Sequence, residues 1–242
     1  MATIQGIFQF NGKIGEAVGM KGDDGLNYAR VRVRKVANPN TEAQQNTRTI
    51  ASLAGKISSI TSSEIIRGMK GSNKRQRRSS FTKNIMLKAK TVKDIATGEI
   101  TALLTPADLL LAEGQTMALP TLTPTLASGT VSVAHANWPA DLAAVVLVAY
   151  GATAEDNYVE CRHVVVLPSD QSPATIGMSK NIEAATVYAI PVSRAEGASR
   201  TSYESALEAL ETDRDFAVTS NASSASALGY NKSEFVGLTQ QA

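Results

Sequence analysis

The run Ala143-Ala144-Val145-Val146-Leu147-Val148-Ala149-Tyr150 is apolar throughout and rich in valine. It suits a buried strand, and the apolar stretch that contains it is far too short to cross a bilayer. Similar short runs flank it at Gly129 to His135, Asn157 to Leu167, Ala174 to Met178 and Ala185 to Val192, with turn formers between them and no helical periodicity intervening. That pattern predicts an antiparallel sandwich over residues 120–200, of an immunoglobulin-like or fibronectin-like kind. Trp138, just after a strand, reads as a core or edge packing residue.

Upstream, the composition changes. Residues 1–95 hold 18 Lys and Arg against 6 Asp and Glu, whereas residues 96–242 hold 6 against 16, so a net formal charge of +2 hides a basic part and an acidic part. Such a split predicts two domains with different partners, and an anionic partner for the basic one. With 242 residues and 43% hydrophobic content the chain can bury real cores. Its single cysteine, Cys161, cannot form an intrachain disulfide, which fits a reducing compartment. Met1 is not followed by a basic and then apolar leader, so a soluble protein is expected.

Within the basic part, Ile4 to Val36 reads as a three-stranded antiparallel meander, with Asn11-Gly12 as the turn signal between Phe8, Phe10 and Ile14, and Asp24-Gly25 as the one separating Ile14 to Met20 from Leu26 to Val36. Arg30, Arg32 and Arg34 alternate with Val31 and Val33 and form one row. Thr41-Glu42-Ala43-Gln44 fits a capping box that opens a helix carrying Ile50, Leu53, Ala54, Ile57 and Ile60 on one stripe. A short second helix is expected around Ile65, Ile66 and Met69, ending at Gly71. A third covers Arg75 to Thr97, with Phe81, Ile85, Ala89, Val92 and Ala96 buried and Lys83, Lys90 and Lys93 on its basic back.

The densest cationic cluster, Lys74-Arg75-Gln76-Arg77-Arg78, precedes that helix. Cations there oppose the helix dipole, so a contact with phosphates or acidic side chains is the expected use. Aromatic residues for base stacking are missing beside it. The candidate nucleic-acid or acidic-partner residues are therefore Arg30, Arg32, Arg34, Lys74, Arg75, Arg77, Arg78, Lys83, Lys90 and Lys93. Domains are expected at 1–98 and 120–200, joined by a linker over 99–119. In the acidic and polar tail, residues 201–242, about the last fifteen residues are read as an arm that orders against a neighbour.

Chemistry is sparse. Cys161 and His163 share a strand face, yet nothing completes a zinc site or orients a base, so packing is the favoured role for both and for His135. Gly12-Lys13-Ile14-Gly15 lacks the end of a phosphate loop. Glu211, Asp213 and Asp215 lack the glycine of a calcium loop. Asn221-Ala222-Ser223 and Asn231-Lys232-Ser233 match a glycosylation pattern without an export signal. No enzyme, cofactor, metal, membrane or small-molecule substrate is expected.

Gly12-Lys13-Ile14-Gly15-x-x-Val18-Gly19, the Arg-rich strand, and Asn38-Pro39-x-Thr41-x-Ala43-Gln44-Gln45-x-x-Arg48 resemble an uncharacterised family of Bacteroidota and their phages, in which a small basic region precedes an immunoglobulin-like domain. The resemblance covers residues 1–195 and carries no activity. It implies a viral or prophage setting: a virion protein, made in the host cytoplasm, that assembles in many copies. Its basic domain would meet acidic neighbours or packaged nucleic acid, and its sandwich other subunits. A sequence-independent DNA-binding protein and a bacterial surface module are the alternatives.

Overall fold

The computed structural model describes residues 41–194, 199–201, 204–205, 208 and 228–241, and the backbone of the short strands β1 (Ala2–Thr3), β2 (Gly12–Ile14), β3 (Ala17–Lys21) and β4 (Asn27–Val31). The chain forms two compact units, Met1–Thr41 and Glu42–Ala242. In the first, the four strands form one antiparallel sheet in the order β1-β4-β3-β2. Ile14 faces Ala17 across the β2–β3 ladder, so the expected strand from Ile14 to Met20 is divided between two strands. Arg30 falls in β4. Its side chain, and all of Arg32 and Arg34, lie outside the described residues, as does the turn signal at Asp24-Gly25.

The second unit contains α1 (Glu42–Ile60), a 3-10 turn at Ile65–Gly68, α2 (Lys74–Lys88), and strands β5 (Lys90–Lys93) and β6 (Ile100–Leu103). They are followed by β7 (Thr121–Ala127), β8 (Thr130–Ala136), β9 (Ala144–Ala152), β10 (Glu160–Val166), β11 (Ala174–Gly177), β12 (Ala184–Arg194), β13 (Leu228–Tyr230) and β14 (Glu234–Gln240). It is a mixed α+β body whose sheets are antiparallel.

A central five-stranded sheet runs β10-β9-β12-β13, with β14 also pairing β12. One face shares a core with the three-stranded sheet β11-β8-β7, through residues such as Val145, Leu147, Val187, Val131, Val133 and Ile176. The other face, with Val146, Val148, Tyr150, Tyr188 and Ile190, packs against Ala54 and Ile57 of α1, Ile65 and Ile66, and Phe81 and Ile85 of α2. Covering both faces explains why β9 is buried from Ala144 to Gly151 with no polar alternation. In β7, by contrast, Leu122 and Leu126 turn inward while Thr121, Thr123 and Thr125 are exposed. Ser128 (φ 48) and Gly129 (φ 73) join β7 to β8, the two left-handed positions that a tight hairpin with right-handed twist demands.

Three sequence expectations need correction. The division falls at Thr41, and no boundary lies near residue 98, because the helices complete the central sheet's core; within 99–119, Leu104, Leu109, Leu111 and Ala112 are buried in that core. The third helix stops at Lys88: Ala89 is extended, and Val92 and Ala96 are exposed. The cause lies downstream, where Asp94 Oδ1 accepts from Ala96 N at 2.7 Å and Gly98 (φ +70) donates to the Asp94 carbonyl at 2.8 Å, closing a turn that pairs β5 with β6. The last residues are no free arm, since β13 and β14 both pair with β12 and Ser233 Oγ accepts from Leu111 N at 2.8 Å.

Candidate interaction surface

The Lys74 to Arg78 cluster forms the first turn of α2. Asn73 Oδ1 accepts from Gln76 N at 2.9 Å, and Gln76 Oε1 reaches back to Ser72 N at 2.8 Å. This reciprocal capping holds the helix start although that turn contains no acid to favour the dipole. Its cations then divide by role. Arg78 is half-buried and donates to the carbonyls of Ser58 and Thr61, binding the free carbonyl end of α1. Arg77 Nε donates to the Gly71 carbonyl at 3.1 Å. Lys74 acts on Glu64: burial would raise that carboxyl, but the Ser63 hydroxyl, the residue's own amide and the Lys74 charge hold it below its ordinary value.

Arg75 remains exposed, and along α2 it continues as Ser79, Lys83 and Leu87 at four-residue steps, one outward stripe. The other cations belong elsewhere. Lys88 lies 3.9 Å from Asp108, and Lys93, on β5, 3.5 Å from Glu42. Exposed pairs of this kind contribute about 0.2–1 kcal/mol each. In the β5–β6 hairpin, Lys90 is paired with Leu103 and Val92 with Thr101, and all four are exposed, whereas Thr91, Ile100 and Ala102 on the opposite face are half-buried towards α1. Among the described residues Arg75, Lys83 and Lys90 make no ion pair.

The structure thus gathers only part of the predicted set. Arg75, Lys83 and Lys90 stay available, Arg77 and Arg78 serve the fold, and Lys90 and Lys93 are not on a helix at all. Sequence reasoning missed the apolar residues beside them: Leu87 is 70% exposed, Val92 49%, Leu103 52% and Ile95 fully exposed. The signal was present in the β-branched Thr91-Val92 pair and the Asp94 to Gly98 turn, which mark a hairpin rather than helix.

Cys161 and His163 lie on one face of β10, paired with Tyr150 and Val148 of β9. Burial pushes the Cys161 thiol up to about 12, although hydrogen bonding with Tyr150 and Thr61 acts in the other direction. It is therefore a protonated, half-buried thiol packed against the core at neutral pH, not a thiolate nucleophile. Tyr150, likewise raised by burial, meets the Thr61 hydroxyl at 2.7 Å. His135 accepts at Nδ1 from Trp138 Nε1 (3.2 Å), leaving Nε2–H to donate to the Gln171 carbonyl (3.3 Å), a packing role for both rings. Clefts of about 260 Å³ beside the Lys56–Asp156 ion pair and about 650 Å³ beside Asp141, Arg194 and Asn231 are open and polar-rimmed. Among the described residues no three His, Cys, Asp or Glu side chains converge, and no helix is long and apolar enough to cross a membrane.

No family model matches the chain, and no curated protein or solved structure matches it either.

Proposed function

We propose that this chain is a structural subunit of a bacteriophage virion, assembling in many copies, with its basic surface set against acidic neighbours or packaged nucleic acid. The observation that carries this reading is the outer face of α2 and the β5–β6 hairpin. On α2 Lys83 and Leu87 are exposed, and on the hairpin Lys90, Val92 and Leu103 share one exposed face; neither lysine makes an ion pair among the described residues. Exposed leucines and valine together with unpaired lysines have the composition of a protein contact more than of a solvated face.

The strand order supports the companion reading of an immunoglobulin-like module. Counting β7 to β12 and then β14, the first, second and fifth strands form one sheet and the third, fourth, sixth and seventh the other, the distribution of such sandwiches. Modules of this kind host many roles, so the fold supports an assembly function only by analogy. The motif resemblance to a phage-linked family points the same way.

The test is compositional. Mass spectrometry of purified virions from a phage encoding this chain should find it in multiple copies per particle. Its absence from intact particles overturns the proposal.

A further inference from the structure

Helix α2 carries six cations, Lys74, Arg75, Arg77, Arg78, Lys83 and Lys88, and no acid. Acids from elsewhere reach it unevenly. Asn84 donates to Glu113 at 3.0 Å and Lys88 lies 3.9 Å from Asp108, so the stripe through Asn84 and Lys88 meets an acid at each step. The stripe through Arg75, Ser79 and Lys83 meets none: all three are exposed, and neither cation makes an ion pair among the described residues. Four residues advance about 6 Å along a helix, so Arg75 and Lys83 stand about 12 Å apart along the axis with a hydroxyl between them.

Resting on the virion reading above, we infer that the Arg75, Ser79 and Lys83 stripe is a docking surface for the phosphate backbone of double-stranded DNA, bound without regard to sequence. Arg, Lys and Ser are side chains that hold backbone phosphates, and a row of them complements a polyanion whose charges repeat regularly. The row holds no apolar residue before Leu87, whereas the centre of a protein contact is apolar. Phe81, the aromatic residue of α2, is fully buried, which leaves no ring on the helix for unpaired bases and favours a duplex over a single strand. B-form DNA opens a major groove about 12 Å wide between its phosphate rows, enough to admit a helix, while the deep, narrow groove of A-form RNA does not.

Fluorescence anisotropy of the full-length chain with a random-sequence DNA duplex should show binding at low salt that weakens steeply as salt rises. Arg75→Ala combined with Lys83→Ala should keep the wild-type urea midpoint, weaken binding about tenfold or more, and reduce the slope of log affinity against log salt by about 1.8, the share of two phosphates. Lys180→Ala, an exposed cation outside α2, and Leu87→Ser, at the apolar end of the stripe, should both leave that slope unchanged. A double variant with wild-type affinity and slope overturns the assignment, whatever the rest of the chain binds. So does a wild-type chain without salt-sensitive duplex binding, or one that binds a matched RNA duplex equally well. Self-association lost in sedimentation equilibrium on the same two substitutions, with duplex binding intact, assigns the stripe to an acidic protein surface instead. None of these results touches the virion reading, which stands or falls on the presence of the chain in purified particles.

Discussion

Arg78 Nη2 donates to the carbonyl oxygen of Thr61 at 3.0 Å, so a residue from the most basic stretch of the chain closes the end of α1. Thr61 Oγ1 in turn meets Tyr150 OH at 2.7 Å, which carries the connection into the central sheet. Helix end, second helix and sheet are joined through one buried threonine.

Arg78→Ala should therefore cost about 2–3 kcal/mol, because it strips a charged donor from two carbonyls that water reaches poorly. Arg75→Ala, three residues earlier and fully outward, should stay within about 0.5 kcal/mol. Paired urea melts decide it. Equal effects of the two substitutions would remove the division between fold-serving and available cations.

The Cys161 thiol gives an alkaline signature. Its ordinary value of 9.0 rises to about 12 in the fold, so between those pH values the native chain holds a proton that the unfolded chain releases. Stability is then full below pH 9 and falls by about 1.4 kcal/mol per pH unit above it for this one group. Cys161→Ala should flatten that part of the pH profile, leaving the slope from buried Tyr150, also raised by burial. A Cys161→Ala profile superimposable on wild type between pH 8 and 11 would show that the thiol is not held protonated by the core.

The opposite sign applies to Glu160. Burial works to raise its carboxyl, but Ser179 N–H at 2.9 Å and Arg162 Nε at 2.8 Å outweigh it and hold the group below its ordinary 4.5. A lowered native value means that the stabilisation is present above that pH and disappears as pH falls through the native value. Glu160→Gln should lower the urea midpoint at neutral pH and make the acid limb shallower. An unchanged acid limb would place the effect on other carboxylates.

Some of this was legible in the residues alone. The Ile50 to Ile60 stripe follows from helical periodicity and the valine-rich runs from their unbroken apolar content, and α1 and β8 to β12 lie where those signals put them, whereas β7 is not among the expected strands. What failed was non-local. The stripe of Phe81, Ile85 and Ala89 continues in register to Val92 and Ala96, yet Asp94 prefers to cap a turn, and the helix gives way to a hairpin. The partners Thr61 and Tyr150 are 89 residues apart, and nothing in either sequence neighbourhood names the other. The candidate surface suffered in the same way. Charge pattern located the cations, but only the folded helix end shows that Arg78 is occupied and that Leu87 is not.

Gly129 tests the hairpin between β7 and β8. Its φ of +73 is strained for an L side chain, and an added Cβ would come within 3.2 Å of the Ser179 carbonyl oxygen and Lys180 Cα. Both are backbone and cannot swing aside. Gly129→Ala should cost more than the ordinary 1 kcal/mol or so of a left-handed alanine, read as a lowered thermal midpoint. A neutral result would mean that the 178–180 segment moves freely away.

Removal of residues 228–242 distinguishes a structural edge from an accessory arm. The truncation strips β12 of its β14 and β13 partners over Ala184–Ala189 and Val192–Arg194, leaving β9 on its other edge, and leaves the Leu111 amide without the Ser233 oxygen. Leu228 is buried in the helix-side core, and Phe235 contacts Tyr188 edge-to-face at 5.9 Å between ring centroids. The truncated chain should lose cooperative unfolding, whereas Ser233→Ala alone, which takes the side-chain acceptor from the Leu111 and Ala112 amides, should cost about 1–3 kcal/mol and keep the transition sharp. Far-UV dichroism during a urea titration separates these outcomes. A truncated chain with an unaltered midpoint would mean that β12 needs no neighbour on that side, which its unbroken burial from Ala185 to Val192 argues against.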